Sequence, residues 1–366
     1  MWKSCKFATL FHRDGEESNY FILNKIKKKQ AMTSVKIGIN GFGRIGKMVF
    51  RLLEDRKEFV VTHINDKMDT RLMAHLLKYD SIHGRFGAEI DFDESHIVVN
   101  GRSILVTNYP SPEQIPWDET GVTCVIDSCG RFKTRPALQG HLRGGVKRVI
   151  LSCPPDDATI ERTVVMGVNH HTLRPEDDII SNASCTTNCI AVMLKVVNDE
   201  FGIRRGFMNT VHPMTNNQNL QDGFHSDYRR ARSALANIIP TTSSAIRATQ
   251  LVIPEMKNIF DGFATRVPVA DCSFVELTAE LHHETTAHDI RETFRRYAEG
   301  PLKGFLEFTD DPIVSSDITN NPHSAIFDAI ATKVIGGNLI QILGWYDNEC
   351  GYSSRIIDLI KYVESL

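Results

Sequence analysis

The run Val35-Lys-Ile-Gly-Ile-Asn40, followed by Gly41-Phe42-Gly43-Arg44-Ile45-Gly46, constrains the fold of this chain more than any other stretch. A short apolar strand enters a Gly-x-Gly-x-x-Gly loop. The loop opens an amphipathic segment carrying Met48, Val49, Leu52 and Leu53, and a second strand, Phe59 to Ile64, ends in Asn65-Asp66. Strand, glycine loop, helix and strand in this order predict a parallel βαβ unit. The glycines let backbone N–H groups approach a pyrophosphate at the start of the helix. Asp66 follows Gly46 by 20 residues, where an acid hydrogen-bonds the ribose hydroxyls of NAD and its charge repels the 2′-phosphate of NADP. A glycine loop in isolation is a weak signal; this one has the whole context around it.

Strand and helix patterns alternate from residue 34 onward. Val122–Ser128 and Lys147–Ser152 read as further short strands, each ending in small or polar residues suited to line a cofactor crevice, and Ser128 and Cys129 fall at such an end. Beyond Phe201 the texture changes to longer polar-alternating runs, at Gly262–Val267, Ser273–Leu281 and Asn338–Trp345, which suit an antiparallel sheet with one covered face. The expected class is α/β: a Rossmann-type doubly wound nucleotide-binding domain over residues 34–184, and an α+β catalytic domain with a mostly antiparallel sheet over 185–349. The last helix, about 350–366, is expected to return to the first domain.

Ser181-Asn-Ala-Ser-Cys-Thr-Thr-Asn-Cys189 carries the chemistry. Ile179-Ile180 reads as a strand giving way to a helix with Ile190, Leu194, Val197 and Phe201 on its apolar face. Cys185 then sits on the first turn, with Ser184 as N-cap, facing unpaired N–H groups that stabilise thiolate. Polar neighbours argue against simple burial, and a nucleophile is the better reading. Gly206-Phe-Met-Asn-Thr-Val-His212 reads as a strand delivering a base, placing Cys185 and His212 on adjacent elements of one layer.

The remaining features exclude more than they assert. A net charge of −3 gives no reason to expect nucleic acid, and no apolar run approaches the roughly 18 residues of a membrane span. The eight cysteines lack a disulfide framework, which suits a reducing, cytoplasmic setting. Cys185 and Cys189 match neither a zinc pair nor a redox pair, and His282, His283 and His288 lack metalloprotease spacing, so no metal is expected. Residues 1–33, with the charge run Lys25–Lys29, read as a disordered extension; Asp14, Glu16 and Glu17 disfavour a mitochondrial leader.

Ile39–Gly46, Tyr79-Asp-Ser-Ile-His-Gly84, Ser181–Cys189, Asn237-Ile-Ile-Pro-Thr241, Arg266-Val-Pro268 and Trp345-Tyr-Asp-Asn-Glu349 together resemble the phosphorylating glyceraldehyde-3-phosphate dehydrogenase family over residues 34–366. The resemblance implies Cys185 as nucleophile and His212 as base. It implies Gly41, Phe42, Gly43, Arg44, Ile45, Gly46, Asp66, Ser128, Cys129 and Asn348 around NAD, with Asn348 orienting the nicotinamide amide. Thr215 and Arg266 would hold the phosphate of an aldehyde substrate. Ser184, Arg229, Ser243 and Ser244 would serve the attacking inorganic phosphate, and Thr186 belongs to the substrate- and phosphate-binding set as well. A homotetramer is implied too, in which the loop from about Met214 to Ala236 packs against a neighbour's cofactor.

Some positions depart from the family pattern: Cys129, Pro213, Asn217, Phe224, Ser243-Ser244 and Arg247. Ser244 is expected to cost the backbone freedom of a glycine. Asn216-Asn217-Gln218 leans toward an erythrose-4-phosphate dehydrogenase with hydrolytic deacylation, whereas Thr215 and Ser243 lean toward glyceraldehyde 3-phosphate. An idle, redox-sensing homologue is the third reading, and retention of Cys185, His212, Asp66, Arg229 and Arg266 weighs against it.

Overall fold

Two sheets organise the chain. The computed structural model describes residues 34–366, so the expected extension at 1–33 lies outside the described residues. The first sheet contains β1 (Val35–Asn40), β2 (Phe59–Asn65), β3 (Ile90–Phe92), β4 (His96–Val99), β5 (Arg102–Thr107), β6 (Cys124–Asp127), β7 (Arg148–Leu151), β8 (Arg162–Thr163) and β9 (Ile179–Ser181). Their spatial order is β3-β4-β5-β2-β1-β6-β7-β9-β8, antiparallel only in the β3-β4-β5 meander. The order reverses direction on either side of β1, which opens a crevice at the strand ends. Helix α1 (Arg44–Glu54) follows the glycine loop, and Met48, Val49, Phe50 and Leu53 are buried on it. Helix α2 (Thr70–Lys78) is capped by the Asp69 carboxylate, which accepts the Leu72 N–H.

Helix α3 (Cys185–Phe201) is buried along most of its length and packs against the second sheet. That sheet holds β10 (Ile203–Pro213), β11 (Ile239–Thr241), β12 (Phe260–Val267), β13 (Ser273–Leu281), β14 (Leu306–Thr309), β15 (Ala325–Ile335) and β16 (Leu339–Tyr346), in the order β11-β12-β10-β13-β16-β15-β14. Every second residue of β13 is buried, as a strand with one covered face requires. Most pairs are antiparallel, yet β10 and β12 run parallel, as do β14 and β15. Helix α4 (Ala245–Val252) lies between β10 and β12 in sequence and returns the chain in its original direction.

Helix α5 (Ala287–Glu299) begins with a reciprocal cap between Thr286 and Asp289. Helix α6 (Cys350–Val363) packs on α1. Its Ile356, Ile357, Leu359 and Ile360 are fully buried in the core of the first sheet. Each such side chain contributes roughly 1.5–3 kcal/mol relative to exposure, which holds the chain end on the nucleotide-binding half.

Candidate active site

The glycine loop separates its tasks by residue. Gly41 has φ 94°, and a Cβ there would lie 2.4 Å from the Cys129 nitrogen. A Cβ on Gly46 would lie 2.2 Å from the Gly41 oxygen, whereas one on Gly43 would meet nothing within 4 Å. The first and last glycines therefore close the turn against protein, and the middle one faces open space. That space is a cavity of about 330 Å³ lined by Gly41, Gly43, Asp66, Ser128 and Cys129, all expected from the sequence. It is also lined by Asn40 and Asn65, which flank the marked residues, and by Lys67, Tyr109, Arg131 and Phe132, which no motif marked.

The side chains of Phe42, Arg44 and Ile45 play a different part from the one expected beside a cofactor. Phe42 is fully buried against Phe50, and Ile45 packs on the same core. The Arg44 guanidinium is bonded to the carboxylates of Asp80 and Glu349. Only the main chain of these three residues remains for a dinucleotide, through the first-turn N–H groups of α1. The Asp66 carboxylate accepts the N–H groups of Phe42 (2.6 Å) and Met68 (2.9 Å), so it braces the loop as well as facing the cavity.

Cys185 is placed by a strained turn. Ala183 has φ 56°, a left-handed conformation costing a non-glycine residue roughly 1–2 kcal/mol. It is held by its N–H to Ser181 Oγ (3.1 Å) and its carbonyl to the Tyr352 hydroxyl (3.2 Å). Ser184 then caps α3, its Oγ accepting the Thr187 N–H at 3.0 Å. Cys185 Sγ lies 3.6 Å from His212 Nε2. The pair meets across a helix–sheet interface, Cys185 heading the helix and His212 coming from β10, rather than within one layer.

The register of β10 on β12 sets His212 opposite Arg266. Arg266 Nη1 lies 2.7 Å from His212 Nδ1 and donates to the Pro213 carbonyl at 3.0 Å. The Pro213 carbonyl also lies 2.9 Å from Nδ1. Arg266 only donates, so the two contacts belong to different tautomers: Nδ1 accepting from Arg266 puts the hydrogen on Nε2, whereas Nδ1–H donating to Pro213 leaves Nε2 with the lone pair that a base for the thiol requires. Burial and then Arg266 push the imidazole pKa down to about 3. Burial pushes the Cys185 thiol up, opposed by Arg266 and the Thr186 N–H. Both shifts favour the uncharged forms, thiol and imidazole. Arg266 Nε is buried and bonds to no described atom, leaving a donor for an anion.

The other expected anion residues divide. Thr215, partly buried three residues after His212, closes a turn with Gln218. Thr186 turns inward: its hydroxyl bonds the buried Tyr346 hydroxyl (2.8 Å), which also bonds Thr210 (2.9 Å), so Thr186 is tied to the core rather than offered to phosphate. Arg229 is exposed, with Nη1 on the Pro240 carbonyl, in a surface cavity of about 500 Å³ that contains Ser243 together with the acids Asp227 and Asp261. Its neighbour Arg230 is the inward residue, bonded to Thr241 Oγ1 and close enough to Arg266 to lower that guanidinium's basicity. Ser244 has φ −68° and ψ −13°, ordinary helical backbone, so no glycine is required there. Ser243 Oγ accepts the Ala245 N–H at 3.2 Å. Asn348 Oδ1 accepts from Ser273 Oγ (3.0 Å), leaving the amide nitrogen to donate elsewhere.

Known proteins match along nearly this whole length. The family model described as the NAD binding domain of glyceraldehyde 3-phosphate dehydrogenase matches residues 35–135, and the model of its C-terminal domain matches 184–348. The chain belongs to the glyceraldehyde-3-phosphate dehydrogenase family. Among its curated relatives is glyceraldehyde-3-phosphate dehydrogenase 1 of Bacillus cereus, 47% identical over 331 residues, covering 90% of this chain and 98% of the relative. The glyceraldehyde-3-phosphate dehydrogenase of Geobacillus stearothermophilus is 46% identical, covering 91% and 99%. That of Streptomyces coelicolor is 48% identical, covering 90% and 98%. As a member of the dehydrogenase family the chain is an NAD-dependent oxidoreductase, and the cavity at Gly43 and Asp66 has the donors and acid that this cofactor needs.

Proposed function

We propose that this enzyme oxidises glyceraldehyde 3-phosphate with NAD and captures the acyl group on inorganic phosphate, giving 1,3-bisphosphoglycerate, as in glycolysis and gluconeogenesis. The observation that carries the reading is the array Cys185 Sγ, His212 Nε2 at 3.6 Å, and Arg266 at 2.7 Å from the other ring nitrogen. His212 takes the thiol proton as Sγ bonds the aldehyde carbon, and the resulting thiohemiacetal oxyanion is stabilised by the Cys185 N–H and by His212. NAD, when bound, supplies the hydride acceptor that leaves a thioester on Cys185. Phosphate oxygen then attacks the thioester carbon and the Cys185 thiolate departs.

Arg266 couples binding to activation. Its positive charge opposes protonation of His212, and a substrate phosphate bonded to it would remove that penalty just as the base is needed. Thr215 and Arg266 form the substrate-phosphate site. Ser184, Ser243, Ser244 and Arg230 serve the second anion, with Arg230 taking the part expected of Arg229. Gly41–Gly46, Asp66, Ser128, Cys129 and Asn348 hold NAD. The chain divides into nucleotide-binding and catalytic domains at Ser184/Cys185.

The loop between β10 and β11 exposes Phe224 (99%) and Tyr228 (90%), and β11's flank exposes Ile238 (70%), which supports a homotetramer. No helix among the described residues is long and apolar enough to cross a membrane. Seven free cysteines among the described residues support a reducing, cytoplasmic setting. The test is NADH formation with glyceraldehyde 3-phosphate and with erythrose 4-phosphate, each with and without phosphate. Phosphate-dependent turnover of the first is the expected outcome. Phosphate-independent turnover of the second would replace the proposal with the hydrolytic dehydrogenase, which the names of the relatives do not favour. No NADH from either would return the idle-homologue reading.

A further inference from the structure

A second cluster of chemistry-bearing side chains lies where three distant stretches of chain meet. His83 comes from the turn after α2, Asp271 from the loop between β12 and β13, and Asp347 from the link between β16 and α6. One ligand-type atom from each lies within 4.8 Å of the others. The side chains of His83 and Asp271 are each only 3% exposed.

Asp271 is the informative residue. Both of its carboxylate oxygens are buried, and neither has a hydrogen-bond partner among the described residues. His83 Nε2 approaches Oδ2 only to 3.6 Å, too far for a good hydrogen bond. Burial, with Asp347 and Glu349 beside it, pushes the Asp271 carboxyl up to about 7, so with no cation bound to it the group escapes an unpaired buried charge by holding a proton. The cation beside it is His83, whose two ring nitrogens face Asn320 Oδ1 and Glu349 Oε2 and so both carry protons, but its Nε2 proton is directed at Glu349 rather than at Asp271. Arg44 is bonded to Asp80 and Glu349. Asp347 accepts the N–H groups of Glu349 (2.8 Å), Cys350 (2.7 Å) and Asn320 (2.8 Å), which fix its position and add no positive charge.

His83 is already oriented as a ligand. Its Nδ1 lies 2.7 Å from Asn320 Oδ1, which pins the ring and leaves Nε2 pointing into the acidic group. Nε2 is 2.8 Å from Glu349 Oε2. Metal-bound histidines have their other nitrogen held in this way.

We propose that His83 Nε2, Asp271 and Asp347 bind one first-row divalent cation of the zinc or manganese class. One imidazole with two carboxylates suits these ions, whereas calcium and magnesium prefer all-oxygen sites. The cation replaces the proton between Nε2 and Glu349, satisfies both Asp271 oxygens' need for a positive partner, and ties the turn after α2 to the loops entering β13 and α6. The separation of the three residues along the chain hides the site from any spacing motif, which is why the sequence led to an expectation of no metal.

The test uses the full chain carrying Cys185→Ser, so that the reactive thiol takes no metal, after treatment with a chelator. Mn²⁺ is titrated and the free ion followed by electron paramagnetic resonance; Zn²⁺ is titrated by calorimetry. One Mn²⁺ per chain is expected, displaced by Zn²⁺, with the thermal midpoint rising by a few degrees at saturation. Asp271→Asn is isosteric and loses no hydrogen bond, so it should fold and bind at least about tenfold more weakly. His83→Gln provides the second variant, with the same loss expected. The proposal is overturned if the parent takes up neither ion stoichiometrically at millimolar concentration. It is equally overturned if the folded variants bind as tightly as the parent.

Discussion

His212 and Arg266 are paired in register on parallel strands, and the arginine's Nη1 lies 2.7 Å from the histidine's Nδ1. Burial first, and then the neighbouring cation, make the charged form of the ring unfavourable and push its pKa down to about 3. The unfolded chain binds a proton at this histidine near pH 6.5 while the folded chain refuses it, so stability is fully present above about 6.5 and falls as pH drops toward 3. His212→Gln should flatten that acid limb by up to about 1.4 kcal/mol per pH unit. Urea midpoints measured from pH 7 to 4 would show it; an unchanged slope means the ring is not held neutral.

A related outcome concerns Arg266 itself. Arg266→Met removes both the phosphate donor and the charge opposing the imidazolium. KM for the phosphorylated aldehyde should rise by about one to two decades, the value of a lost charge-assisted contact. At the same time the histidine pKa, read by NMR, should move upward toward its ordinary value. Weaker substrate binding without that movement would leave the electrostatic coupling unsupported.

The two neighbouring arginines should behave differently. Arg230 is bonded to Thr241 and lies near Arg266, whereas Arg229 reaches the Pro240 carbonyl at the surface. Arg230→Ala should therefore raise the KM for inorganic phosphate by about tenfold or more, while the pre-steady-state burst of NADH is retained. Arg229→Ala should stay near the parent. The reverse pattern would restore the residue first suggested by the sequence.

These residues also show what could be read without a structure. Gly41–Gly46 with Asp66, and Ser184 with Cys185, are local devices: each depends on a strand-to-helix transition whose periodicity is visible in a few neighbouring residues. His212 was legible as the polar end of an alternating strand. Arg230 was not, because adjacent residues in a long loop give no periodicity to say which points inward. The tie between Arg44 and Glu349, and the inward turn of Thr186 to Tyr346, depend on contacts between residues 305 and 160 positions apart. The parallel pairing of β10 and β12 was missed because alternation reports a covered face and carries no information on strand direction. Ser244 looked costly only while its backbone was assumed to need glycine.

Asp66 has a double role that makes its replacement more damaging than loss of a ribose contact. It accepts two backbone N–H groups, from Phe42 and Met68, and it lines the cofactor cavity. Asp66→Gly should weaken NAD by about one to two decades through the lost charged acceptor. NADP should be weakened less, because the repulsion of its 2′-phosphate disappears with the carboxylate. Equilibrium binding of both cofactors by fluorescence gives the ratio. A preference unchanged within error would remove Asp66 as the discriminating residue.

Cys185→Ser separates chemistry from cofactor binding. The strained turn at Ala183 and the Ser184 cap depend on backbone and on neighbouring side chains, so the variant should keep its fold. Serine is a far weaker nucleophile near neutral pH, and a nearby imidazole with a depressed pKa is a poor base for an alcohol. Oxidation should fall to background in steady-state and burst measurements alike. NAD affinity should remain within a few-fold of the parent, because Sγ is not among the atoms lining the cavity at Gly43 and Asp66. Retained NADH formation in this variant would remove the thiohemiacetal from the mechanism; loss of NAD binding would instead place Cys185 in the cofactor site.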